Sequence, residues 1–121
     1  MAQQRVAVYH FYKVDEGQSH AINKGIRKAA GDYFAWINSD DIYNPGTFSK
    51  VGIAASKYPS GIVLYGDCQT IDEKSNSISL YKGKPFDPKE LLLVMGDHHT
   101  IAQPASFFLT SAIKKINGVD E

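Results

Sequence analysis

Apolar positions along the chain fall into short blocks whose spacing alternates between the strand and helix periods. Val6, Val8, His10 and Tyr12 interleave with Ala7, Tyr9 and Phe11, a branched and aromatic stretch that reads as a strand covered on both faces. Ile22, Ile26, Ala29 and Ala30 then recur at helical spacing, with Lys24, Arg27 and Lys28 on the wet side, which predicts a helix of about three turns. Arg27 and Lys28 complement the negative helix end, and Gly31 is placed to take a left-handed cap. The continuous apolar run 33–37 is too short for a good helix and fits a buried parallel strand. Asn44 followed by Pro45 reads as a cap and first helical residue, and Phe48, Val51, Ala55 and Tyr58 share one helical face that should end before Pro59.

Ser60-Gly61 turns the chain into a third buried strand, residues 62–65, which stops at Gly66-Asp67. Strand, helix, strand, helix, strand implies an α/β domain with a mostly parallel sheet in three α/β/α layers. Residues 69–81 change character: two short apolar pieces flank the polar stretch 72–77, as in a hairpin or a loose excursion. Asp87-Pro88 opens a further helix carrying Leu91, Leu92 and Met95. Residues 101–109 look strand-like, and Thr110 can cap a last short helix stopped by Asn117-Gly118. With 121 residues and no internal repeat, a single domain over 1–121 is expected.

Composition narrows the partners. Apolar content is 43% and charged content 21%, and no window approaches the ~20 apolar residues of a membrane span. Thirteen basic residues balance thirteen acidic ones, so the net charge expected of a nucleic-acid binder is missing. Cys68 is the only cysteine, which excludes an internal disulfide and fits a reducing compartment; with no signal-peptide pattern at the start, a cytoplasmic location is expected.

Ligands of an open parallel sheet collect at the carboxyl ends of its strands, and Asp40-Asp41 follows the second strand there. Two adjacent carboxylates can hold Mg²⁺ or Mn²⁺, and equally they can serve only to cap a turn. His98-His99 beside Asp97 reads as a pair of solvated loop histidines, since neighbouring side chains in extended backbone point to opposite faces. Ser19 beside His20 makes no nucleophile pattern, and Trp36 lies in an apolar run typical of core.

Gly17-Gln18-Ser19-His20-Ala21-Ile22-Asn23-Lys24-Gly25-Ile26, then Ala30-Gly31-Asp32-Tyr33, then Trp36-Ile37-Asn38-Ser39-Asp40-Asp41 together resemble the central block of family 2 glycosyltransferases. The similarity continues more loosely through Tyr65-Gly66-Asp67 and Gln103-Pro104-Ala105-Ser106-Phe107-Phe108 to Gly118-Val119-Asp120-Glu121. The resemblance implies a partial GT-A, nucleotide-diphospho-sugar transferase-like fold. It also implies metal-assisted, inverting transfer of a sugar from a nucleotide-sugar donor to an acceptor hydroxyl.

On that resemblance, Asp41 and Asp40 are the expected metal ligands for Mg²⁺ or Mn²⁺. Asn38 stands where many relatives carry the first acid, and it can accept hydrogen bonds without adding charge. Asn23, with Asp15 and Gln18, is expected near the donor, the alternative being helix capping and surface solvation. The pattern begins at what corresponds to the family's third strand and stops on the Gly-x-x-Asp-Glu turn. A truncated domain lacking the nucleoside pocket and the general base is therefore expected, with the uncovered sheet completed in a homodimer.

Overall fold

The computed structural model describes residues 16–85 and 101–120. The expected strand around Val6, the helix carrying Leu91 and Met95, the histidine pair 98–99, Asp15 and Glu121 lie outside the described residues. In chain order the elements are α1 (Gln18–Lys28), β1 (Tyr33–Phe34), α2 (Thr47–Lys57), β2 (Val63–Tyr65), β3 (Cys68–Ile71), β4 (Ser77–Tyr81), a single 3-10 turn (Gln103–Ala105), β5 (Ser106–Leu109) and α3 (Thr110–Lys115). The described residues gather into two compact units, one of 16–36, Asn44–Leu64 and 107–120, the other of Ile37–Tyr43, 65–85 and 101–106.

The first unit holds the core. Ile26 of α1, Phe107 of β5 and Ile113 of α3 are buried, and α1 packs on α3. Phe48 of α2 meets Phe107 edge-on at 6.4 Å between ring centres. Trp36, half-buried, stacks on Phe108 at 5.4 Å and 11°, whereas Ile37 at the end of the apolar run is exposed, so the burial expected of the whole run is only partial. Such aromatic pairs contribute about 0.5–1.5 kcal/mol beyond their buried area.

The chain is α/β, as expected, but the expected mostly parallel sheet is not what the described strands form. The three-stranded sheet has the order β1-β5-β2. Tyr33 pairs with Leu109 and Phe34 with Phe108 in antiparallel register. On the other side of β5, Leu109 N–H donates to Ile62 O at 2.7 Å and Gly66 N–H to Ala105 O at 3.1 Å. Partner numbers rise on one strand as they fall on the other, which is again the antiparallel pattern. β1 and β2 thus run in the same direction, as the strand-helix-strand pattern requires, but β5 returns between them. Sequence periodicity shows a strand's faces and not its neighbour, so this insertion was not readable from it.

The hairpin over 69–81 is present as β3 and β4, paired antiparallel from Cys68 opposite Tyr81 to Ile71 opposite Ser77, with an irregularity at Thr70–Ile71. Asp72 organises its turn: Oδ1 accepts from Lys74 N–H at 2.9 Å and Asn76 N–H at 2.8 Å, and Oδ2 from the Asn76 side chain at 3.1 Å. Asx-type closure of this kind lets Ser75 adopt a positive φ of 65°.

Local boundaries depart from expectation at four places. α1 does not end on a left-handed Gly31; Ala29 turns extended and its N–H donates to Gly25 O and Ile26 O. Lys114 of α3 donates to Ala29 O at 2.6 Å, so a tertiary cation satisfies the helix end in place of a glycine cap. α2 starts at Thr47 and not at Pro45. Pro45 and Gly46 are the central residues of a turn closed by Thr47 N–H to Asn44 O at 3.2 Å, with Gly46 at φ 80°, ψ 1°. Those angles at the third turn position, after proline at the second, are those of a type II turn. The strand expected over 101–109 is shortened to β5, because Pro104 sits in the 3-10 turn where its missing N–H costs no ladder bond. Thr110 is the first residue of α3 and does not cap it: its N–H donates to Asp32 O at 2.9 Å, and its buried hydroxyl has no partner.

Candidate functional site

The loop that leaves β1 carries the acidic pair. Asp41 N–H donates to Asn38 O at 3.1 Å, closing a four-residue turn over Asn38-Ser39-Asp40-Asp41. Asn38 and Asp40 are exposed and Asp41 is half-buried. The turn thus separates the two carboxylates by environment, one in water and one against protein.

Electrostatics show what Asp41 faces. Burial pushes the Tyr43 hydroxyl above its ordinary pKa, and the Asp41 charge pushes it further. The Cys68 thiol at the start of β3 is likewise raised, first by burial and then by Asp41. An anion that disfavours ionisation of both neighbours must lie close to both. Asp41 therefore sits where the loop after β1 meets the start of the hairpin. Cys68, the single cysteine, belongs to no sequence motif. Its place just after the strand ending at Gly66-Asp67 was the available signal, because loops from successive strand ends converge.

The neighbouring loops are tied down by polar contacts. Asp67 Oδ1 accepts from Gly83 N–H at 3.0 Å, and the Tyr65 hydroxyl donates to Lys84 O. The approach at Gly83 is close: a Cβ there would stand 3.1 Å from Gly66 O, and the backbone would have to give by a few tenths of an ångström. The Asp67 carboxylate is thereby engaged in holding the segment after β4.

The other expected donor residues lie on α1. Gln18 is its first residue and is exposed. Asn23 is buried, with 5% exposure. Its amide donates to Val119 O at 2.8 Å and accepts from Val119 N–H at 2.9 Å. Both polar ends of the Asn23 side chain are thus bonded to the backbone after α3, a role that neither helix capping nor solvation describes. Gly118 makes this approach possible: φ is +88°, and a Cβ would collide with Asn23 Oδ1. Among the isolated histidines, His20 accepts from Glu16 N–H at 3.1 Å through Nδ1, so it serves the start of α1.

Asn38, Asp40 and Asp41 thus share one turn, whereas Gln18 and Asn23 share one helix of the other unit. Among the described residues no group of three or more His, Cys, Asp or Glu side chains is arranged to hold a metal. The chain itself offers two hard oxygen donors at the turn. That set fits Mg²⁺ or Mn²⁺, ions that commonly take one or two carboxylates and complete their shell with phosphate oxygens and water. No helix among the described residues is long and apolar enough to cross a membrane.

Comparison with known proteins places this turn in a family. The model of glycosyl transferase family 2 matches residues 2–116. An uncharacterized glycosyltransferase of Rickettsia conorii is 37% identical over 110 residues, covering 84% of this chain and 18% of the relative. Others from Rickettsia felis and Rickettsia typhi are 34% identical over 76 residues and 31% identical over 86 residues, and the chain spans 13% and 27% of their lengths. The chain therefore matches well under a third of each of these relatives. No solved structure matches it significantly. Family membership implies the GT-A fold. The match covers nearly the whole sequence, including the turn at Asp40-Asp41, and the chain belongs to glycosyl transferase family 2.

Proposed function

We propose that this chain forms the donor-diphosphate part of a metal-dependent, inverting glycosyltransferase, with Asp41 as the principal metal ligand and Asp40 assisting. The observation that carries this reading is the turn Asn38–Asp41 at the exit of β1, which buries one carboxylate partly and leaves the other in water. A half-buried carboxylate binds a cation more strongly than an exposed one, because fewer waters screen it. When bound, Mg²⁺ or Mn²⁺ supplies neutralisation of the diphosphate leaving group. Asn38 offers a neutral acceptor for a ribose hydroxyl or a metal-bound water. Gln18 and Asp15 belong to the donor side, and Asn23 supports it by fixing α1 to the turn after α3. A single domain of the GT-A type is the architecture in which this site belongs, and the cytoplasm is the compartment that fits its lone thiol.

Calorimetric titration with nucleotide sugars in the presence of Mn²⁺ tests this reading. Binding should require the metal and be lost in Asp41→Ala. A folded chain that binds no nucleotide sugar, or binds equally well after that substitution, contradicts it.

A second reading, a self-associating binding module without catalysis, is favoured by one observation. Ile78 and Leu80 lie two apart on β4 and so share a face, yet are 64% and 54% exposed. A homodimer that covered them would bury an apolar pair at the hairpin. Light scattering after size exclusion decides: a monomer whose mass is unaffected by Ile78→Ser and Leu80→Ser removes this reading.

A further inference from the structure

We infer that the adjoining ends of α1 and α3 form a docking surface for an anionic lipid bilayer, with Arg27, Lys28, Lys114 and Lys115 supplying charge and Ile116 an apolar contact. The inference starts from how charge is distributed in a chain whose formal net charge is zero. Among the described residues, the first unit carries Lys24, Arg27, Lys28, Lys50, Lys57, Lys114 and Lys115 against Glu16, Asp32 and Asp120. The second carries Lys74, Lys82 and Lys84 against Asp40, Asp41, Asp67, Asp72 and Glu73. Neutrality of the whole thus hides a strongly basic unit, which is why composition excluded an anionic partner that the fold allows.

Within the basic unit two pairs of cations occupy the last turns of two helices, and one of the four is tied across to the other helix. Arg27 and Lys28 occupy the last turn of α1, and Lys114 and Lys115 the last turn of α3. The two helices are packed together, and Lys114 reaches Ala29 O just past the end of α1. Ala29, Asp32, Thr110 and Lys114 line an open cleft of about 340 Å³ between them. Within that cleft Asp32 and Lys114 balance, so the excess positive charge of this surface comes from Arg27, Lys28 and Lys115, which do not line it. Ile116 follows directly and is 72% exposed, a large apolar side chain left in water beside two lysines.

The chemistry favours a bilayer. Lysine ammoniums are point charges that suit an array of phosphates better than the fixed bidentate geometry of one phosphopeptide, and Lys114 keeps its charge at the surface while bonded to Ala29 O. Neither α1 nor α3 carries Phe, Tyr or Trp, so the stacking platform of a single-strand nucleic-acid site is missing. An exposed isoleucine beside cations matches the boundary between headgroups and acyl chains. This surface is independent of the acidic turn and stands or falls without it.

The test is co-sedimentation of the full chain with vesicles of phosphatidylcholine alone or mixed with phosphatidylserine. Binding should appear only with the anionic lipid and weaken as salt rises. The double variant Arg27→Gln/Lys115→Gln should lower the partition coefficient roughly 10- to 30-fold, each cation near such a surface contributing about a factor of five. Both side chains are exposed, so circular dichroism should show the fold intact. Lys74→Gln, in the other unit, should leave binding unchanged. Equal binding to neutral vesicles, no binding to anionic ones, an equal loss in Lys74→Gln, or retention on heparin without vesicle binding would each overturn the inference.

Discussion

Asn23 and Val119 bind each other through a reciprocal pair of hydrogen bonds, the Asn23 amide nitrogen donating to Val119 O at 2.8 Å and Val119 N–H returning to Asn23 Oδ1 at 2.9 Å. The side chain imitates a strand neighbour and fastens the middle of α1 to the backbone that follows α3. Asn23→Ala leaves the N–H and C=O of half-buried Val119 without these partners, so it should cost about 1–3 kcal/mol in urea unfolding. Gly118→Ala should cost about 2 kcal/mol or more, since it adds left-handed strain to a collision with Asn23. Stabilities within about 0.5 kcal/mol of the parent in both variants would show that the clamp contributes little.

Trp36 is the single tryptophan, and it stacks on Phe108 of β5. Its emission therefore reports the packing of β1 against β5. Phe108→Ala should destabilise the first unit by about 1–3 kcal/mol, the side chain being only half-buried, and shift the native emission to longer wavelength. An unshifted spectrum would place Trp36 elsewhere.

Asp72 links the hairpin to pH. Backbone donation from Asn76, helped by the Asn76 side chain and Lys74 N–H, holds its carboxyl below the ordinary range. A folded pKa below the unfolded one means that the anion stabilises the turn above the unfolded carboxylate pKa of about 4. That contribution is lost as pH falls through the lower folded value. An NMR titration should give Asp72 a midpoint below the unperturbed aspartate value of about 4, and Asp72→Asn should remove this acid sensitivity from the hairpin amides. A midpoint at or above 4 would refute the assigned turn.

Cys68 reports on Asp41. Burial and the Asp41 charge both hold its pKa up, so alkylation at neutral pH should be slow. Asp41→Asn removes the anion, increases the thiolate fraction and should accelerate alkylation by a factor of a few, whereas Asp40→Asn should change it less. Equal rates in all three proteins would mean that Asp41 does not face the thiol.

Which features could be read from the chain follows from the range of the forces that make them. α1, the stop of α2 before Pro59, β2 and the hairpin centred on Asp72 are set by local periodicity and turn residues, and all were legible. The turn at Asp40-Asp41 was legible because it follows an apolar run. β5 between β1 and β2, the Lys114 cap on Ala29 and the Asn23 clamp join residues far apart in sequence, where no periodic signal exists. Asn23 was picked out by family resemblance for the donor side, yet its side chain is bonded to backbone. Cys68, whose neighbourhood matters most to Asp41, carried no motif.

The claim that Asp41 holds the divalent ion on a donor diphosphate is tested most directly by electron paramagnetic resonance of Mn²⁺. The signal of free aqueous Mn²⁺ should fall when the chain and a nucleoside diphosphate are both present, beyond the loss caused by the diphosphate alone. Asp41→Ala should abolish that further loss while circular dichroism stays unchanged. A signal that drops equally with the folded Asp41→Ala protein, or does not drop beyond the diphosphate control with the parent, would contradict the assignment.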